Sequence, residues 1–215
     1  MENLLVKKLE TGISGFDLIS EGGLPKGRTT LVSGTAGSGK TIFAAQFLAK
    51  GIIEAQQSGV FVTFEEPPQD IHKNLSSLGW DITAWEKAEQ WAFVDASPQT
   101  GQETMVVGNY DLGGLLARIE HAVKRVGARR VSMDSLSAIF SRFNDSVIVR
   151  DELFRIALAL KKMGVTAVLT AERNSEYGNI ARYGVEEFVA DNVIILRNIL
   201  EEEKRRRTIE ILKFR

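Results

Sequence analysis

The chain of 215 residues carries 27 Lys and Arg against 28 Asp and Glu, a net charge of −1, with 44% hydrophobic and 26% charged residues. These proportions exclude a disordered or collagen-like chain, and the charge balance argues against bulk electrostatic binding of nucleic acid. The absence of cysteine excludes a disulfide framework, a cysteine-held zinc or iron–sulfur centre and a thiol nucleophile; two histidines, His72 and His121, leave little room for a histidine metal site.

Strand and helix alternate along the chain. Residues 29–32 are a β-branched run that ends in a glycine-rich segment, and a helix follows with Phe43, Phe47 and Leu48 on one stripe. Residues 59–64 read as a buried strand stopped by Pro67-Pro68, and 69–78 as a short helix. A third strand is expected at 91–94. Leu112, Leu115, Leu116, Ile119 and Val123 recur at helical spacing and predict a helix over 111–126. A strand over 130–133 ends at Asp134. Val149, Leu153, Ile156, Leu160 and Met163 mark a second amphipathic helix closed by Gly164, and 166–170 form the next strand. Residues 174–187 lack periodicity and are expected to be a long loop. The runs 192–200 and 206–214, joined by the polar stretch 201–205, predict an antiparallel hairpin at a sheet edge. Together these elements predict an α/β fold, a mostly parallel sheet with helices on both faces and a C-terminal β-hairpin. By length the expectation is one domain over residues 1–215. No apolar run approaches the roughly 18 residues that cross a bilayer, so a cytoplasmic chain with no membrane partner is expected.

Gly34-Thr35-Ala36-Gly37-Ser38-Gly39-Lys40-Thr41 satisfies G-x-x-x-x-G-K-[ST], after a predicted strand and opening a predicted helix. Glycines let the backbone curl so that amides face phosphate oxygens, and the helix start adds its positive end. Lys40 supplies a cation to the β- and γ-phosphates of ATP, and the Thr41 hydroxyl is a ligand for Mg²⁺. Ile42, next in the chain, joins the expected nucleotide contacts. Asp134 falls at the carboxyl end of its strand, where ligands of open α/β sheets bind, and is expected to help hold Mg²⁺. Ser135 follows it, so no glutamate there can serve as base. The Glu65-Glu66 pair is the natural supplier of the group that activates water, with Glu66 also placed among the metal ligands. Strand alternation lets one glutamate face the nucleotide while the other faces a neighbour, unless the strand end twists. The same alternation puts Ile209, Ile211, Lys213 and Arg215 on one face. Lys213 and Arg215 are then either charges that guard an edge strand or cations supplied to a neighbouring subunit's triphosphate.

Gly15-Phe16-Asp17, Gly22-Gly23-Leu24-Pro25, the phosphate loop, Phe61-Val62-Thr63-Phe64-Glu65-Glu66, the stretch Arg129 to Ser135 and the stretch Ile180 to Phe188 resemble the RecA-like KaiC family. The likeness is closest to the N-terminal ATPase domain of its circadian clock members, which carry two such domains in tandem. The resemblance implies a homohexameric ring with ATP between subunits and Glu65 as general base. It places Ser77 near the nucleotide base, and Lys213, Phe214 and Arg215 against the neighbour's nucleotide. It also matches 107–112 to a segment that engages a KaiB-like clock partner after hydrolysis. Two alternatives stand beside a switching ATPase: a RecA/RadA-like ATP-dependent DNA-binding filament, disfavoured by the charge balance, and a scaffold stabilised by ATP without turnover.

Overall fold

The chain opens with strand β1 (Lys8–Leu9), helix α1 (Ser14–Ile19) and strand β2 (Leu24–Pro25), the two strands pairing antiparallel. Strand and helix then alternate: β3 (Thr29–Gly34), α2 (Lys40–Ala55), β4 (Gly59–Thr63), α3 (Pro68–Ser76), α4 (Ile82–Lys87), β5 (Trp91–Asp95), α5 (Leu112–Val126), β6 (Arg130–Asp134), α6 (Leu136–Phe140), α7 (Ser146–Lys162) and β7 (Thr166–Glu172). A single-turn helix α8 (Glu186–Val189) and the hairpin of β8 (Asn192–Glu201) and β9 (Lys204–Lys213) follow. This computed structural model describes residues 6–97, 112–140, 145–181 and 186–215. All but Leu112 of the segment 107–112 matched to partner engagement lies outside the described residues.

The main sheet has the order β5-β4-β6-β7-β3-β8-β9, parallel throughout except for the last pair. Its inner strands are buried on both faces, which is why they read as continuous apolar runs. Alternate residues feed two separate cores. Val60, Val62, Val131, Met133 and Leu169 pack with α5 and α7 on one face. Phe61, Val32, Val168, Ile194 and Leu196 pack with α2 and α3 on the other. Parallel registry brings the carboxyl ends of β3, β4, β6 and β7 to one edge, with Thr63 beside Asp134 and Gly34 beside Glu172.

One polar side chain crosses the second core. Arg130, 2% exposed, donates to Glu10 O at 2.7 Å and Phe47 O at 2.8 Å, and its guanidinium lies over the Phe47 ring at 4.7 Å. A Cβ at Gly51 would come within 2.5 Å of Arg130 Nε. Glycine inside α2 costs about 1 kcal/mol relative to alanine, and here it opens the passage for that guanidinium.

Every expected strand is present, with three corrections. β7 continues to Glu172 rather than ending at Thr170, because it stays paired with β3 as far as Gly34. The hairpin has no five-residue polar joint: the ladder runs to Glu201 opposite Lys204, and only two residues turn the chain. Residues 186–189, expected within a loop, form α8. A fourth correction concerns faces. Ile194 pairs with Ile211 but Val193 pairs with Lys213, so β9 bulges at Leu212. Directly opposed residues share a face, so Lys213 turns away from Ile209 and Ile211. Those isoleucines and Phe214 pack on the α2 side, while Lys213 Nζ donates to Glu187 O of α8 at 3.2 Å and to Ala190 O, just past that helix, at 2.7 Å. The shared face expected for Ile211, Lys213 and Arg215 is therefore broken at the bulge.

Candidate functional site

The carboxyl edge of the sheet holds a cleft of about 260 Å³ lined by Ala36, Lys40, Thr41, Thr63, Glu65, Glu66, Ile71, Asp134, Ser135 and Glu172. Its floor is the glycine loop between β3 and α2. Gly37 and Gly39 adopt φ of 72° and 99°, the left-handed region that side chains avoid, and α2 begins at the next residue, Lys40. Gly34 is required for a different reason: a Cβ there would lie 2.4 Å from Ser38 Oγ and 2.6 Å from Leu196 O. The turn is thus packed so closely on β8 that no side chain fits beneath it. Ser38 Oγ is buried in it without a hydrogen-bond partner among the described residues.

Charges of both signs meet above this floor. Lys40 Nζ donates to Thr35 O at 2.9 Å, folding back over its own loop. Burial pulls its pKa below the usual lysine value, opposed by the negative charges of Glu172, Asp134, Glu65 and Glu176. Asp134, at the end of β6, accepts from Thr41 Oγ1 at 2.7 Å and from Thr170 Oγ1. Burial pushes the Asp134 carboxyl up, and these two hydroxyls and Lys40 only partly offset it.

Both glutamates face the cleft, the outcome expected where the strand end departs from alternation. β4 ends at Thr63, so Glu65 and Glu66 lie in a bend that strand alternation does not govern. Phe64 N still donates to Asp134 O at 3.0 Å, and Thr63 Oγ1 to Glu66 O at 2.5 Å, which fixes the bend against β6. Glu65 Oε1 accepts from Ser135 Oγ at 2.7 Å. The Glu66 carboxyl is raised by burial first and then by the neighbouring charges of Asp134, Asp70 and Glu65.

The structure does not bring every expected residue here. Ile42 is 39% exposed, on the first turn of α2. Ser77 caps α3, exposed, with its hydroxyl on Asn74 O at 2.6 Å. Lys213, Phe214 and Arg215 lie at the far end of the sheet, since Lys213 pairs with Val193, which pairs with Leu31 near the start of β3. Two residues of the site escape the sequence reading, one in the cleft lining and one that holds Asp134. Glu172 ends β7 as Asp134 ends β6, a signal visible had the strand been read two residues further. Thr170, which holds Asp134, looks in sequence like one more β-branched residue of a buried run.

Among the described residues no three His, Cys, Asp or Glu side chains converge as a metal cage. The Thr41 hydroxyl and Asp134 carboxylate nevertheless form an adjacent pair of hard oxygen donors. That pair suits Mg²⁺, which keeps waters and takes substrate phosphate oxygens rather than an all-protein cage.

Burial of Asp134 has a stability consequence. A carboxyl whose folded pKa exceeds its unfolded one weakens the fold as pH rises between the two values. Asp134→Asn is therefore expected to raise the melting temperature of the nucleotide-free protein at pH 7, by about 2–4 °C for each kcal/mol recovered. The gain should shrink as pH falls toward about 4, where the parent's carboxyl protonates in both states. Thermal melts in EDTA at pH 5 and pH 7 check this, and an unchanged or lower melting temperature at pH 7 contradicts it.

Comparison with known proteins agrees with this geometry. A family profile described as "ATPase: KaiC" matches residues 9–215. The chain is 64% identical over 210 residues to the circadian clock protein KaiC3 of Synechocystis sp., covering 98% of this chain and 41% of that protein. It is 59% identical over 211 residues to the circadian clock oscillator protein KaiC of Parathermosynechococcus lividus, covering 98% and 39%. Against the oscillator protein KaiC of Synechococcus elongatus it is 57% identical over 215 residues, covering 100% and 41%. The chain thus spans about two fifths of the length of these relatives.

Proposed function

Because the chain belongs to the KaiC ATPase family, we propose that residues 1–215 form one RecA-like domain that hydrolyses ATP at sites shared between copies in a ring. The observation that carries this reading is the convergence of Lys40, Thr41, Asp134, Glu65 and Glu66 on one cleft above a glycine loop. Lys40 exchanges its bond to Thr35 O for the β- and γ-phosphates. Glu65 takes the proton of the attacking water, its carboxylate oriented by the Ser135 hydroxyl on one oxygen. Thr41 and Asp134, with Glu66 nearby, would hold Mg²⁺, which would supply positive charge to neutralise the phosphates.

The ring reading is supported by registry. The loop leaves the carboxyl end of β3, while Lys213 lies level with Leu31, three residues back and about 10 Å down the strand. Lys213, Phe214 and Arg215 are thus turned from their own chain's phosphates and suit the nucleotide of an adjacent copy, with Ser77 toward the nucleoside. A homohexamer, hydrolysis-driven switching and binding of a KaiB-like clock protein belong to the same proposal, by likeness to relatives whose names carry a clock role.

Native mass spectrometry with Mg²⁺ and ATP, followed by identification of the bound nucleotide over time, tests it. The expected result is an ATP-dependent oligomer whose ATP becomes ADP, with conversion stopped by EDTA. A monomer that leaves ATP intact overturns the proposal.

A further inference from the structure

Residues 174–187 lack periodicity, yet one of them is tied to the phosphate loop. Glu176 Oε1 accepts from Thr35 Oγ1, and its other oxygen accepts from Asn198 N of β8 at 3.2 Å. Its carbonyl oxygen accepts from Arg197 Nη1. Arg197 in turn directs two N–H groups, at 2.6 and 3.0 Å, to Glu210 Oε2 of β9, and lies over the Tyr177 ring at 5.1 Å. The same strand touches the loop a second time. A Cβ at Gly37 would sit 3.4 Å from Asn198 Nδ2, and Asn198 Oδ1 is buried without a hydrogen-bond partner among the described residues.

We propose that Glu176 is a positioning residue of the phosphate loop, a strap that holds Thr35 to the hairpin and carries the loop's occupancy to β9. The inference rests on the ATPase reading above. Thr35 is gripped from two sides, its carbonyl by Lys40 and its hydroxyl by Glu176. A triphosphate draws Lys40 away and sets a new negative charge beside the Glu176 carboxylate. Both changes alter the balance of forces at Thr35, and the connected hydrogen bonds pass that change to Asn198, Arg197 and Glu210. Glu210 stands three residues before Lys213, so the signal reaches the segment offered to the neighbouring copy.

The test uses the full chain with a non-hydrolysable ATP analogue. Thr35→Val and Glu176→Ala are each expected to weaken analogue binding about tenfold, the scale of one lost hydrogen bond to a charged group. The double variant should bind no more weakly than the poorer single one. Glu176→Gln keeps an acceptor for Thr35 and should restore affinity to within about threefold of the parent, on the same scale. Analogue-induced change in hydrogen exchange over β8 and β9 should be present in the parent and lost in Glu176→Ala at saturating analogue. Additive losses, or an undiminished hairpin response in Glu176→Ala, overturn the strap while leaving the ATPase reading intact. A parent that binds no analogue overturns both.

Discussion

Glu65→Gln combined with Glu66→Gln is expected to lower ATP turnover by about 10²- to 10⁴-fold, the range that a positioned general base supplies. Both carboxylates line the cleft that holds Lys40 and Thr41, and glutamine keeps their shape while removing the ability to take a proton. Binding should survive, because the loop and Lys40 are untouched; it should tighten, because two anions leave a site built for a tetra-anion. The single variants separate the roles. Glu65 is held by Ser135 Oγ in a fixed direction, so Glu65→Gln alone should account for most of the loss. Glu66, raised by burial and by Asp134, should show the smaller effect and shift the dependence on Mg²⁺ concentration. Phosphate release at saturating ATP, read beside the amount of bound nucleotide, decides it. Turnover unchanged in the double variant removes both from the role of base and points to Glu172, the carboxylate that ends β7 in the cleft lining.

What could be read in advance follows from the range of the interactions involved. The phosphate loop is local: eight consecutive residues after a buried strand specify the turn, and the structure places Gly37 and Gly39 in the left-handed conformations that the motif demands. Asp134 was legible because an apolar run ends on it. Glu172 follows the same rule, but its strand stops where its partner β3 stops, at Gly34, and that pairing joins residues far apart in sequence. The face of Lys213 was misread for a similar reason. Alternation assumes an unbroken ladder, and the bulge arises from how Val193 and Ile194 meet β9, which residues 204–213 alone do not encode. Alternation separates Glu65 from Glu66 only while the strand continues, and it ends at Thr63, two residues before the first of them. Thr170 and Glu176 have no sequence signal of their own; each acquires its place from a partner, Asp134 or Thr35, that the fold brings to it.

An equimolar mixture of Lys40→Ala and Arg215→Ala chains is expected to recover about a quarter of parental turnover, although each variant alone should be slower by about 10³-fold or more. The recovery follows from a site assembled across a head-to-tail contact. An active site needs an intact loop, present only on Arg215→Ala chains, and an intact finger, present only on Lys40→Ala chains. With random assembly the chance of that ordered pair is one half times one half. Varying the ratio should trace a curve proportional to the product of the two fractions, highest at equal amounts and zero at either end. A site contained in one chain gives no recovery at any ratio, because every chain then lacks one of its two cations. Native mass spectrometry of the same mixtures shows whether the chains have exchanged. Mixed oligomers without recovered phosphate release would place Arg215 in its own chain's site, whereas Arg215→Ala chains that keep parental turnover would place it outside the reaction and return its charge to the simpler work of guarding an edge strand.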